Sequence, residues 1–129
     1  MKVKCIAKHL NVVQKKILGI QKDEEPQYPF SVGEIYTVLG IHTQLGYYSG
    51  IILKIHVMYP VPAPLCLFEI IDERVSSYWK VKKLSEYELA LWPEEFYQDF
   101  FQDDLTTGVP EVVNIYQKVL EKLEKEFDE

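Results

Sequence analysis

The stretch Ile35-Tyr36-Thr37-Val38-Leu39-Gly40-Ile41 decides the fold class. Ile35, Thr37, Val38 and Ile41 are β-branched and Tyr36 is aromatic. Such side chains pack well on a pleated surface and lose rotamer freedom in a helix. Before it, Phe30-Ser31-Val32-Gly33-Glu34 reads as a turn, so the strand starts from a bend. Further upstream, Val3, Cys5 and Ala7 alternate with Lys2, Lys4 and Lys8, the pattern of a strand with one buried face. Downstream, residues 46–50 carry turn chemistry, and 51–59, 65–72 and 77–81 each have strand length and β composition. Short strands with tight connections predict a small antiparallel barrel or a strongly bent sheet.

Two segments inside this part read less simply. In 51–59, Ile51, Leu53, Ile55 and Val57 share one parity and are expected to face the core, leaving Ile52, Lys54, His56 and Met58 on the other side. The apolar run 50–68 is interrupted by Lys54, His56, Pro60, Pro62 and Pro64, whereas a membrane-spanning helix needs about 20 mostly apolar residues. It reads as two strands joined by a stiff proline-rich loop. In 9–29, Val12, Val13, Ile17 and Leu18 recur at helical spacing, but Gln21-Lys22-Asp23-Glu24-Glu25-Pro26 is a polar run suited to an exposed loop. The first half of that insertion stays open between helix and irregular chain.

After Lys83 the hydrophobic period changes from two to 3.6. Ser85 followed by Glu88 fits a capping box and predicts a short helix over 86–91. Pro93 is placed to start another over 93–105, with Glu94 and Glu95 complementing the positive end of its dipole. There Phe96, Tyr97, Phe100 and Phe101 make one face, and Glu95, Gln98, Asp99, Gln102 and Asp103 the other. Thr106-Thr107-Gly108 ends it. From Glu111 on, Val112, Val113, Tyr116, Val119, Leu120, Leu123 and Phe127 define a final helix, on which Glu121 and Lys125 can pair across one turn. The expected architecture is α+β: a small antiparallel bent sheet or partial barrel followed by C-terminal helices.

A chain of 129 residues, 47% hydrophobic and 13% aromatic, supports one core. With no repeat or dividing linker, it reads as a single domain, mainly β over 1–84 and an acidic helical part over 85–129 packed on the sheet. The net charge of -6 is unevenly held: residues 1–85 carry 11 basic and 7 acidic side chains, and 86–129 carry 3 and 13. The start Met1-Lys2-Val3-Lys4 lacks the pattern of a secretory leader, so a cytoplasmic location is expected, with Cys5 and Cys66 as two buried free thiols.

Catalytic signatures are absent from the pattern. His9, His42 and His56 are scattered, the two cysteines stand far apart in sequence, and no Gly-rich phosphate loop or nucleophile elbow occurs. No cofactor, metal site or catalytic residue is expected. Asp72-Glu73-Arg74 places a carboxylate and an arginine either at a sheet rim or in a solvated hairpin turn. The acidic face is more telling. Stacked on one helix, Glu95, Asp99 and Asp103 would repel each other by several tenths of a kcal/mol per pair. Such a face is either a solubilising surface or a docking face for a basic partner.

The motif Phe30-x-Val32-Gly33-Glu34-x-Tyr36-x-Val38 and the strand Leu67-Phe68-Glu69-Ile70-Ile71-Asp72 resemble those of small bacterial and phage-borne proteins with an SH3-like sheet. Tyr78-Trp79 followed by an acidic, aromatic tail looks like members of this type among the immunity proteins of bacterial toxin systems. That resemblance implies binding without catalysis: a protein that neutralises a basic toxin domain by covering its active site or substrate groove. Glu94, Glu95, Asp99, Asp103 and Asp104 are the expected charged contacts, with Trp92 and Tyr97 as aromatic anchors. The competing reading is a nucleic-acid or peptide adaptor using Lys2, Lys4, Lys8, Lys15, Lys16, Lys80, Lys82 and Lys83, with Tyr47, Tyr48, Tyr78 and Trp79 as stacking surfaces. A pI of about 5.1 argues against nucleic acid.

Overall fold

The computed structural model describes residues 1–128. The deciding stretch lies in β2 (Ile35–Gln44), the longest strand. It is laddered to β1 (Lys2–Cys5) along Ile35 to Thr37, to β3 (Gly50–His56) from Val38 onward, and to β7 (Glu88–Pro93) at Ile41 and His42. β4 (Pro60–Pro64) follows β3, β5 (Phe68–Asp72) pairs with β1, and β6 (Trp79–Ser85) pairs with β7. All these pairings are antiparallel. The main path runs β4-β3-β2-β1-β5, with the β6–β7 hairpin branching from β2. The sheet is bent and open, so of the two expected shapes the closed barrel is the one not formed.

The helices are α1 (Val12–Leu18), α2 (Phe101–Thr106) and α3 (Pro110–Lys125). α1 resolves the ambiguity of 9–29. The Asn11 side chain accepts from the Gln14 amide at 2.7 Å, Gln14 returns a bond to the Asn11 amide, and Gly19 closes the other end at φ 76°. Both ends are capped, which stabilises a helix too short to persist alone. The loop after it is fixed by Lys15, a buried lysine whose ammonium meets the Glu25 carboxylate at 2.6 Å and the Lys22 carbonyl at 3.2 Å. Tyr28 and Phe30 then enter the core, where Phe30 stacks on Tyr28 at 4.8 Å and packs on Phe68 at 4.9 Å.

Several expectations are corrected. Residues 86–91 are the hairpin turn and the first part of β7 and not a helix: the Ser85 hydroxyl does meet the Glu88 carboxylate at 2.8 Å, but the contact closes the β6–β7 hairpin. The proline-rich segment is a strand, not a loop, because prolines at alternate positions leave Val61 and Ala63 free to bond to β3. In β3 both parities are covered. Leu53 and Ile55 are fully buried as expected, yet Ile52 is buried as well and Ile51 is exposed, since the bent sheet is covered on both sides at this strand. Asp72 and Arg74 form no hairpin, because β5 and β6 are not neighbours; the guanidinium grips the carboxylate at 2.7 Å and 2.9 Å and holds it well below the usual range. Cys5 is buried and Cys66 is exposed, both unpaired.

The remaining correction concerns 93–105, which is not one helix. Pro93 ends β7, a 3₁₀ turn covers Glu94–Tyr97, and Phe100 adopts a left-handed conformation at φ 63° before α2 begins. Phe96 and Phe101 reach the core, 5.2 Å apart, while Phe100 points out. α3 runs as its pattern predicts, with Tyr116, Val119, Leu120 and Leu123 inward and the Glu121–Lys125 pair at 2.7 Å outside.

Gly40 stands where β7 crosses β2. A Cβ there would lie 2.8 Å from the Leu91 carbonyl oxygen and would collide with the Trp92 ring. Gly40→Ala should therefore destabilise the protein by about 2 kcal/mol or more. Urea unfolding measures this, and a loss below about 0.5 kcal/mol would show that the crossing relaxes freely.

Candidate functional site

The candidate surface is built where β7 passes into the 3₁₀ turn and α2. Trp92 is half-buried, with the Lys54 ammonium 4.5 Å over its ring, His42 edge-on at 5.4 Å and Tyr97 at 5.1 Å. The Tyr97 hydroxyl donates to the Lys80 carbonyl at 2.7 Å and accepts from the Trp92 amide at 3.3 Å, while Lys82 approaches its ring at 5.2 Å. The two expected anchors thus bolt the 3₁₀ turn to the β6–β7 hairpin, and both are half-buried. The indole Nε1 of Trp92 and Nδ1 of His42 are buried without a hydrogen-bond partner among the described residues.

Glu94, Asp99 and Asp103 are exposed, and Glu95 and Asp104 are half-buried. Because the chain breaks at Phe100, these carboxylates do not stack along one helix as expected. They surround a knuckle. Glu94 and Glu95 line a shallow groove with Tyr97 and Gln98, and Asp103 and Asp104 follow in the first turn of α2. Phe100 projects from the middle of this surface, 73% exposed. A left-handed backbone at a non-glycine residue costs on the order of 1–3 kcal/mol, and such strain gathers at functional positions. Phe100 is the residue that sequence reasoning assigned to the wrong face. Its helical spacing matched the core set, and only its crowding with Phe96, Tyr97 and Phe101 hinted that one aromatic was too many.

Beneath the surface, Lys54 extends from β3 against Trp92 and, 5.7 Å away, Phe96. Burial pulls its ammonium down to about 8. The aromatic faces return part of what hydration supplied. Beside it, burial lowers His42, and His56, also lowered by burial, hydrogen-bonds the Tyr116 hydroxyl and ties β3 to α3. Among the described residues no group of three or more His, Cys, Asp or Glu is placed to hold a metal ion, and no helix is long and apolar enough to cross a membrane.

The residues of the competing adaptor reading do not form one surface. Lys15 is buried against Glu25, Trp79 is buried, and Tyr78 lies under the Lys122 ammonium at 4.5 Å. Lys2 and Lys4 sit opposite Asp72 and Glu69 across the β1–β5 ladder, where opposite charges compensate. Lys80, Lys82 and Lys83 remain exposed along β6. Comparison with protein-family models, curated proteins and solved structures returns no match to this chain.

Lys54 makes the environment under Trp92 measurable. A lysine whose folded-state value is lowered destabilises the fold while protonated, and that penalty is relieved as pH rises from about 8 toward the ordinary value of 10.5. Lys54→Met should therefore be more stable than the parent at pH 7 by about 1–3 kcal/mol, with the gap shrinking by pH 9.5. The raised Tyr28 and Tyr116 hydroxyls act in the opposite sense above pH 10, so the comparison belongs below it. A gap independent of pH would mean that Lys54 keeps its ordinary proton affinity.

Proposed function

We propose that this chain is a non-catalytic binding protein of the immunity type, which neutralises a basic toxin domain through the acidic knuckle at 94–104. The observation that carries the reading is Phe100: a bulky apolar side chain, 73% exposed, held at φ 63° among Asp99, Asp103 and Asp104. A solubilising surface needs carboxylates alone. It has no use for a strained backbone that lifts an aromatic ring out of the core, whereas an interface does, because buried aromatic anchors slow dissociation and surrounding charge speeds encounter. Glu94, Glu95, Asp99, Asp103 and Asp104 supply the charge, Phe100 the principal anchor, and the open parts of Trp92 and Tyr97 its floor. In this reading the partner presents Lys and Arg around an apolar recess, as the phosphate-binding groove of a nuclease does.

Coexpression with products of genes adjacent to its own, followed by kinetics at low and high salt, tests the reading. Association should slow about tenfold or more at high salt and in the Asp99→Lys, Asp103→Lys double variant. Phe100→Gly should shorten residence about tenfold or more while leaving thermal stability intact or improved, since glycine relieves the left-handed strain. A partner indifferent to salt and to all three changes would refute the acidic knuckle as its docking face.

A further inference from the structure

The sheet has three outer edges, and they are treated differently. β4 places Pro60, Pro62 and Pro64 at alternate positions; because proline cannot donate into the β3 ladder, their nitrogens face outward and that edge offers no donors. β6 lines its edge with exposed Lys80, Lys82 and Lys83, which discourage pairing. β5 has neither safeguard. Its sequence is Phe68-Glu69-Ile70-Ile71-Asp72, and among the described residues it pairs only with β1. The register shifts past Ile71 between Ile70 and Asp72, and Ile70 and Ile71 are 46% and 44% exposed.

The hydrogen-bond phase shows what that edge presents. The Ile6 amide donates to the Leu67 carbonyl at 2.9 Å, and the register pairs Cys5 with Phe68, Lys4 with Glu69 and Val3 with Ile70. Antiparallel pairs alternate between bonded and non-bonded, so Glu69 bonds inward to Lys4, and the amide and carbonyl of Ile70 point away from β1. The strand already seated on β5 also shows which side chains suit it: Lys2-Val3-Lys4 sets lysines opposite Asp72 and Glu69 and valine opposite Ile70. We propose that the free edge of β5 accepts an extended segment of a partner protein by β-strand addition, and that the segment alternates basic and apolar residues as β1 does. Its apolar residue would cover the open side of Ile70, its basic residues would answer Glu69 and Glu73, and its backbone would bond to Ile70. A second copy would pair Ile70 with Ile70 and leave Glu69 facing Ile71 and Asp72 facing Phe68, with no basic residue to answer either carboxylate, so it matches this edge less well than a basic segment does. This site stands apart from the acidic knuckle and does not depend on it.

The probe is the peptide acetyl-Lys-Val-Lys-Val-Lys-Val-amide, titrated against the full chain by NMR, with acetyl-Glu-Val-Glu-Val-Glu-Val-amide as control. The expected result is saturable binding of the basic peptide, at least about tenfold tighter than the acidic one, with shifts centred on Ile70 and slowed exchange of its amide. Ile70→Pro removes the outward donor without touching the β1 ladder and should abolish binding. Should that variant fail to fold, Glu69→Lys with Glu73→Lys keeps the backbone and should reverse the preference toward the acidic peptide. The Asp99→Lys, Asp103→Lys variant should bind the basic peptide as the parent does, which separates failure here from failure of the knuckle. Absence of binding at millimolar peptide, equal affinity for both peptides, binding unaffected by a folded Ile70→Pro, or a dimer in sedimentation that blocks β5 would each overturn the proposal.

Discussion

The close crossing of β7 over Gly40 is the constraint on which the arrangement depends. β2 serves three partner strands, and it can do so because its ladder is interrupted between Val38 and Gly40 and because position 40 has no side chain to hold β7 away. Trp92 lies down in the space so created. With the indole there, Lys54 has a ring to stand under, Tyr97 has a plane to pack on, and the chain after Pro93 is delivered to the outer surface of the β6–β7 hairpin. Fill that space with one methyl group and each of these placements has to move. The candidate surface is thus set by backbone approach in the middle of the sheet, and the acidic residues inherit their positions from it.

The electrostatics follow the same division. Some of the basic residues in the first 85 are answered within that part, Lys15 by Glu25 and Lys2 and Lys4 by the carboxylates opposite them across β1 and β5. Among the described residues, the carboxylates at 94–104 take part in none of the ion pairs. Because the chain breaks at Phe100, Glu95, Asp99 and Asp103 do not share the single helical face on which they would have stacked.

Much of this was legible in the sequence. Alternation in 2–5 and the 3.6 period of α3 each report one buried face, β-branched density in 35–41 reports a strand, and each led to the observed element. The failures share a physical cause: the local signal was genuine but had two outlets. Ser85 and Glu88 form the bond a capping box predicts, yet two side chains three residues apart can close a hairpin equally well. Pro93 suits the start of a helix and also the end of an edge-adjacent strand. Pro60, Pro62 and Pro64 forbid a central strand but permit an outer one, and which applies is fixed by β3, not by the prolines. For the candidate site, the acidic residues were legible from charge alone, and their geometry was not. Phe96 and Phe101 take the core positions, with Phe96 also against Tyr116, while Phe100 between them turns left-handed and outward, a placement that helical spacing does not signal.

The three prolines of β4 carry a meaning beyond the strand they shape. Filaments of sheet proteins grow when the open edge of one copy finds a receptive edge on the next, and growth is unlimited only if the receiving end is as competent as the giving one. Here the far end of the main sheet lacks donors, so a copy docked through β5 onto β4 would find carbonyl acceptors but no amides, and could form only part of a ladder. One edge can be left unguarded because the opposite edge of the main sheet supports only a partial ladder, which disfavours growth from copy to copy.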